Sequence, residues 1–168
     1  MSQASLFLCR RRLVLLSGLG ILSALAGCST TSVLSSNDDG TSGDETADAL
    51  PMVNSLRARK GLSPLAVDPV ASQAATDQAK RMAKVGKMSH LIGFNDDFGK
   101  RMKDHGVALP AAENIAAGQN ETARAVQAWI DSPKHLHNML GDFRGLGVAV
   151  ARNSSSGNRP YWAMVLSS

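Results

Sequence analysis

The chain has two cysteines, Cys9 and Cys28, and none after residue 28. Whatever folds downstream therefore has no disulfide, no cysteine-ligated metal and no cysteine nucleophile. Its core alone must hold it, and a folded part of about 120 residues can bury enough apolar surface for that. A His-Glu-x-x-His helix and a Gly-x-Ser-x-Gly turn are also missing, which removes the compact zinc-hydrolase and serine-elbow signatures. No internal repeat is present. The apolar run from Leu13 to Ala26 is too short for a comfortable membrane span. There is no basic stripe interleaved with aromatics. Of 18 basic residues three are Arg10, Arg11 and Arg12, leaving 15 against 14 acidic ones. The formal charge of +4 thus belongs mostly to the N-terminus and gives no reason to expect nucleic acid as a partner.

What is there begins with that N-terminus. Arg10-Arg11-Arg12, the apolar run and Leu25-Ala26-Gly27-Cys28 make a basic cluster, a short apolar core and small residues before a break, which describes a secretory signal peptide. Leu-Ala-Gly-Cys resembles the bacterial lipobox, in which the cysteine is acylated and becomes the mature N-terminus. Two arginines before x-Leu-Val also resemble a twin-arginine signal, so both export routes stay open. Ser29 after the cysteine resembles lipoproteins sent on to an outer membrane. Ser29 to about Asp48 is rich in Ser, Thr, Gly and Asp and buries too little to order itself. The expected organisation is a lipoprotein signal peptide over 1–27, a flexible tether over 28–47 and one domain over 48–168.

Within the domain, Leu50, Val53, Leu56 and Arg57 place a first helix between about Glu45 and Lys60, stopped by Gly61, with Pro51 as an alternative start. Asp68-Pro69 is a capping pair that opens a second helix reaching about Val85. Its inward stripe is Ala71, Ala74, Ala75, Ala79 and Met82, while Lys80, Arg81, Lys84 and Lys87 face water. Phe98, Arg101 and Met102 suit a half-buried third helix from about Asp96 to His105. Ala112 to Ala117 reads as extended, Glu121 to Asp131 as a helix, Gly147 to Ala151 as a buried strand and Arg159 to Leu166 as the last strand. Helices first and a late hairpin last point to an α+β layer arrangement.

The chemistry concentrates between Ala111 and Leu140. Glu113 lies in a small-residue extended run, and His135 lies just after Ser132-Pro133, an N-cap and first-turn pair. There the helix dipole disfavours imidazolium, and a neutral histidine can ligate a metal or accept a proton. His137, two positions on, is expected to point elsewhere. Ser89 beside His90 is sequence adjacency and does not by itself make a hydrolase pair. Asn114 and Asn138 read as organisers of backbone turns.

Glu113-Asn114-Ile115-Ala116, followed by Trp129-x-x-Ser132-Pro133-x-His135-x-x-Asn138-x-Leu140, resembles the CAP superfamily in its short bacterial form. That family, whose domain is also called SCP, is named for cysteine-rich secretory proteins, antigen 5 and pathogenesis-related 1. The resemblance extends upstream through Asn54-Ser55-Leu56-Arg57, Gly61 to Leu65 and Met88-Ser89-His90. Downstream it continues through Gly145 to Ala149 and Tyr161-Trp162. It implies a three-layer α-β-α sandwich with a small, mostly antiparallel sheet, and a cleft with two histidines and two acidic residues. His90, Glu113 and His135 match three of the four. The second glutamate falls on Ser132, with Asp131 beside it.

Two histidines and a carboxylate would suit zinc or another divalent metal. Read structurally instead, His90 would bond to loop backbone and Glu113 would hold loop N–H groups together. The reading favoured overall is a lipid-anchored cell-envelope protein on the periplasmic side of a membrane. Its cleft would bind a small apolar ligand, an envelope component or a protein partner, with a metal-assisted hydrolase in the same cleft as the alternative.

Overall fold

The computed structural model describes residues 40–168. The expected signal peptide, the expected lipidation site Cys28 and the first part of the expected tether lie outside them. The described chain runs β1 (Thr41–Asp44), α1 (Thr46–Arg59), β2 (Ala66–Val67), α2 (Pro69–Val85), α3 (Phe98–His105), β3 (Ala111–Ala117), α4 (Thr122–Ile130), α5 (Pro133–Met139), β4 (Gly145–Arg152), a 3-10 turn (Ser154–Ser156) and β5 (Tyr161–Ser167).

The strand order is β1-β4-β5-β3, with β2 pairing in parallel to β4 and all other pairs antiparallel. Alternation along β5 sorts the layers. Tyr161, Ala163 and Val165 pack with Ala71, Ala74, Ala75, Ala79 and Met82 of α2 and Met102 of α3. Trp162, Met164 and Leu166 pack with Val53 and Leu56 of α1, Val126 and Trp129 of α4 and Met139 of α5. The result is the expected α-β-α sandwich. The alanine stripe of α2 comes so close to β4 that a Cβ on Gly147 would lie 2.1 Å from the Ser72 backbone nitrogen. Only glycine fits there.

The helix signals hold. Asp68 caps α2 by accepting from the Val70 and Ala71 N–H groups, and Gly86 closes it in the left-handed region. Pro51 does not start α1 but sits inside it on the exposed side. The carbonyl it leaves unpaired belongs to Ala47, one turn earlier on the same exposed surface, where water can serve it. One correction concerns the N-terminal boundary. Residues 41–47 are not tether, because β1 pairs with residues 149–152 of β4 and Thr46 already opens α1. Polar Thr41-Ser42-Gly43-Asp44 carries no strand signal of its own, and the free edge of β4 recruits it. Arg57 is buried in the helix layer and donates to the carbonyls of Ser63, Met139 and Gly141, stitching α1 to the turn after α5. That burial lowers its pKa, against the pull of Asp142.

Candidate functional site

β3 is an edge strand, and its register decides what surrounds it. Glu113 pairs with Val165 and so faces the α2–α3 layer, whereas Asn114 pairs with Met164 and faces the α1–α4–α5 layer. At this edge the segment between α2 and α3, carrying His90, meets α5, carrying His135.

Glu113 is 2 % exposed at its side chain and accepts on both oxygens. His90 Nδ1 lies 2.9 Å from Oε1, and Arg101 donates from Nη1 to Oε2 at 3.1 Å and from Nη2 to Oε1 at 3.3 Å. The Arg101 Nη2 group also reaches the His90 carbonyl at 3.0 Å. Arg101 Nε stands 3.2 Å from Asp96 without the alignment of a hydrogen bond. Asp96 in turn receives Arg81 at 2.6 Å and the Ile92 N–H. Burial alone would raise the Asp96 carboxyl, but the Ile92 N–H, Arg81 and Arg101 hold it below the usual range. Gln78 donates to the carbonyls of Ser89 and His90, and Arg81 to that of Ile92. A chain of charges, Arg81–Asp96–Arg101–Glu113, thus fixes the backbone around His90 and orients its ring. With Nδ1 donating to Glu113, neutral His90 leaves Nε2 as an acceptor.

On the other side of β3, Asn114 Nδ2 donates to the His135 carbonyl at 3.0 Å, and Asn138 donates to Asn114 Oδ1 at 2.9 Å. These asparagines tie α5 to the sheet instead of organising turns of their own. Ser132 and Pro133 occupy the expected N-cap and first-turn positions, but the serine hydroxyl makes no capping bond. The His135 pKa is lowered, as expected, yet the causes are burial first and then the nearby His90.

His90, Glu113 and His135 line one cavity of about 530 Å³, together with Pro133, Lys134, His137 and Asn138. The inclusion of His137 corrects the expectation that it turns away. At about 100° per residue, 134, 135, 137 and 138 span one broad face of α5, with His135 and His137 at its two edges. Leu136 and Met139 take the core side. A second depression of about 700 Å³ runs along Gln119, Glu121, Arg124 and Asp131. It is open to solvent and holds no histidine.

The residues do not fit the expected three-ligand metal set. Both Glu113 oxygens are taken by Arg101 and His90, so a cation there would have to displace a guanidinium. Among the described residues no group of three His, Cys, Asp or Glu side chains is placed to hold a metal ion. The imidazoles of His90 and His135 alone fall short of the three protein ligands of a catalytic zinc site. A serine nucleophile is not in place either, because the Ser89 hydroxyl donates to the Leu91 carbonyl.

Sequence reasoning missed Arg101, Asp96, Arg81 and Gln78. One signal was available: Gln78 is a polar residue within the spacing of the buried alanine stripe, and a buried amide needs partners.

A family model described as CAP, the cysteine-rich secretory protein family, matches residues 50–166. An uncharacterized protein of Bacillus subtilis, YkwD, is 30% identical over 106 residues, 62% of this chain and 41% of that protein. The chain therefore spans less than half the length of this relative. An SCP-domain extracellular protein of Bacillus anthracis superposes with a TM-score of 0.62 at 27% identity, covering 72% of this chain and 39% of that one. An outer surface protein of Borrelia burgdorferi superposes with a TM-score of 0.64 at 21% identity, covering 76% of this chain and 97% of that one.

Proposed function

The chain belongs to the CAP family of cysteine-rich secretory proteins, and we propose that it is a lipid-anchored cell-envelope binding protein. Its cleft between His90 and His135 takes a small apolar or amphipathic molecule, or a component of the envelope carrying such a group. The single observation behind the choice of binding over hydrolysis is the Glu113 carboxylate, which spends both oxygens on Arg101 and His90. A group so engaged orients an imidazole and locks a loop, and is poorly placed to activate water. The His90 Nε2 acceptor, His135 and the Asn138 amide offer a polar end to the ligand, and Pro133 gives the wall an apolar part. Anchoring through Cys28, on the periplasmic side of a membrane, rests on the leader and its Leu-Ala-Gly-Cys ending. The extracellular description of the Bacillus anthracis relative supports export. No helix among the described residues is long and apolar enough to cross a membrane.

The hydrolase reading keeps one observation in its favour, the 2.9 Å contact between Glu113 and His90, which is how a carboxylate prepares a histidine for proton transfer. Assaying the purified protein on ester, amide and glycoside substrates, with and without zinc, separates the two. The binding reading expects no turnover that depends on His90 or Glu113. Metal-dependent turnover by the wild type, lost in Glu113→Gln, would move the protein to the hydrolases.

A further inference from the structure

The end of α2 and the segment leading to α3 hold His90 toward the cleft and Ile92 against the core, and leave four apolar side chains outward. Val85, Met88 and Leu91 are each about half exposed, and Phe94 is 96% exposed, so its ring touches almost nothing of the domain. This is not a loose loop. Its carbonyls at Ser89, His90 and Ile92 are held by Gln78, Arg81 and Arg101. Phe94 sits at a tip formed by two left-handed residues, Gly93 (φ 93°) and Asn95 (φ 61°). A rigid segment that presents four large apolar side chains within ten residues marks a surface that something covers.

Two observations say what covers it. The first is charge. Lys84 and Lys87 are exposed beside these side chains, and of the acidic neighbours Asp96 is paired with Arg81 while Asp97, which caps α3, keeps its charge. Apolar tips flanked by lysine suit the headgroup region of an anionic bilayer. The second is where the chain enters. Gly40 packs against Arg152 and Asn153, and the 3-10 turn that follows Asn153 touches the end of α2. There the Ser155 hydroxyl donates to the Lys84 carbonyl at 2.8 Å, and a Cβ on Gly86 would meet Ser156 at 3.4 Å. The entry point of the chain therefore lies near the C-terminal end of α2, where Lys84 and Val85 begin the apolar segment. From Cys28 to Gly40 the chain reaches at most about 40 Å when fully extended.

We infer that Met88, Leu91 and Phe94, with Lys84 and Lys87, form a docking surface that inserts into the headgroup region of an anionic lipid bilayer. This inference rests on the lipid-anchored reading for its geometry. Because His90 lies between Met88 and Leu91, docking brings the rim of the cleft to the level of the headgroups.

The test uses the full acylated chain with Phe94→Trp, reconstituted in phosphatidylethanolamine–phosphatidylglycerol vesicles with and without brominated acyl chains. Trp129 and Trp162 are buried and supply a constant background, which the wild type measures. A side chain about 5–10 Å into the interface should show blue-shifted emission and about twofold quenching by the brominated lipid. Lys84→Glu with Lys87→Glu should weaken the quenching, and salt should do the same. Water-exposed, unquenched emission from residue 94 in a chain whose Cys28 mass shows acylation would overturn the inference. Blue-shifted emission without bromine quenching, together with dimers in sedimentation, would overturn it in favour of a second copy. Quenching on added vesicles by a chain whose Cys28 carries no lipid would uphold docking while removing the anchor.

Discussion

Glu113 and Asn114 are consecutive in β3, yet each is committed to a different layer of the sandwich. Glu113 reaches His90 and Arg101 on the α2–α3 side, and Asn114 reaches the His135 carbonyl and Asn138 on the α5 side. The two-residue period of a strand does this without any loop. One dipeptide on an edge strand thereby sets the gap between two histidines that are 45 positions apart in sequence.

Asn114→Ala should loosen only the α5 side. Asn114 is fully buried, and its removal leaves the His135 carbonyl and the Asn138 amide short of partners. A loss of about 1–3 kcal/mol is expected in urea unfolding. Hydrogen exchange should rise in α5 while the Ile92 amide stays protected.

Glu113→Gln should have the opposite footprint. It removes the charge facing Arg101 but leaves Asp96 nearby, so a cost of about 3 kcal/mol is expected, the low end for breaking a buried charge pair. His90 should lose its fixed tautomer, visible in imidazole nitrogen shifts, and exchange should rise at Ile92 before α5.

His135 gives a pH signature. Its folded pKa is lowered by burial and by His90, so the unfolded chain binds more protons between that value and the ordinary 6.5. Stability from this group is full above about pH 6.5 and is lost as pH falls toward the folded pKa. In an NMR titration His135 should titrate below the ordinary histidine value. His90→Ala should move His135 part of the way back, because burial remains. A His135 midpoint above 6.5 would contradict the geometry.

Anchoring has its own test. Cys28→Ala should abolish acylation, read as the intact mass of the mature chain, and shift the protein out of the membrane fraction. A wild-type mature chain without lipid on Cys28 would contradict it.

Most of the frame was legible because its signals are local. Asp68-Pro69 and Gly86 bound α2, Gly106 ends α3, and alternation marks β4 and β5. The resemblance located His90, Glu113 and His135, and the structure brings them to one cavity. The electrostatic chain was not legible. Arg81 and Arg101 look like solvated cations on helix surfaces, and only tertiary structure puts Asp96 between them. The poor fit of Glu113 to a metal was hidden for the same reason, since the partner that occupies it is an arginine twelve residues earlier. His137 was misplaced because two positions on a short helix with one buried stripe can flank the same open face. β1 and β2 were invisible because four polar residues and a two-residue bridge carry no pattern, only a neighbour.

Native mass spectrometry of the protein purified from its own envelope shows whether the His90–His135 cleft holds an organic ligand or a catalytic metal. The wild type should carry an organic mass that leaves on mild activation, absent from a His135→Trp variant whose unfolding midpoint is unchanged, and no stoichiometric zinc. A wild type that carries one zinc per chain, displaced by chelator and lost in Glu113→Gln, would contradict the binding reading.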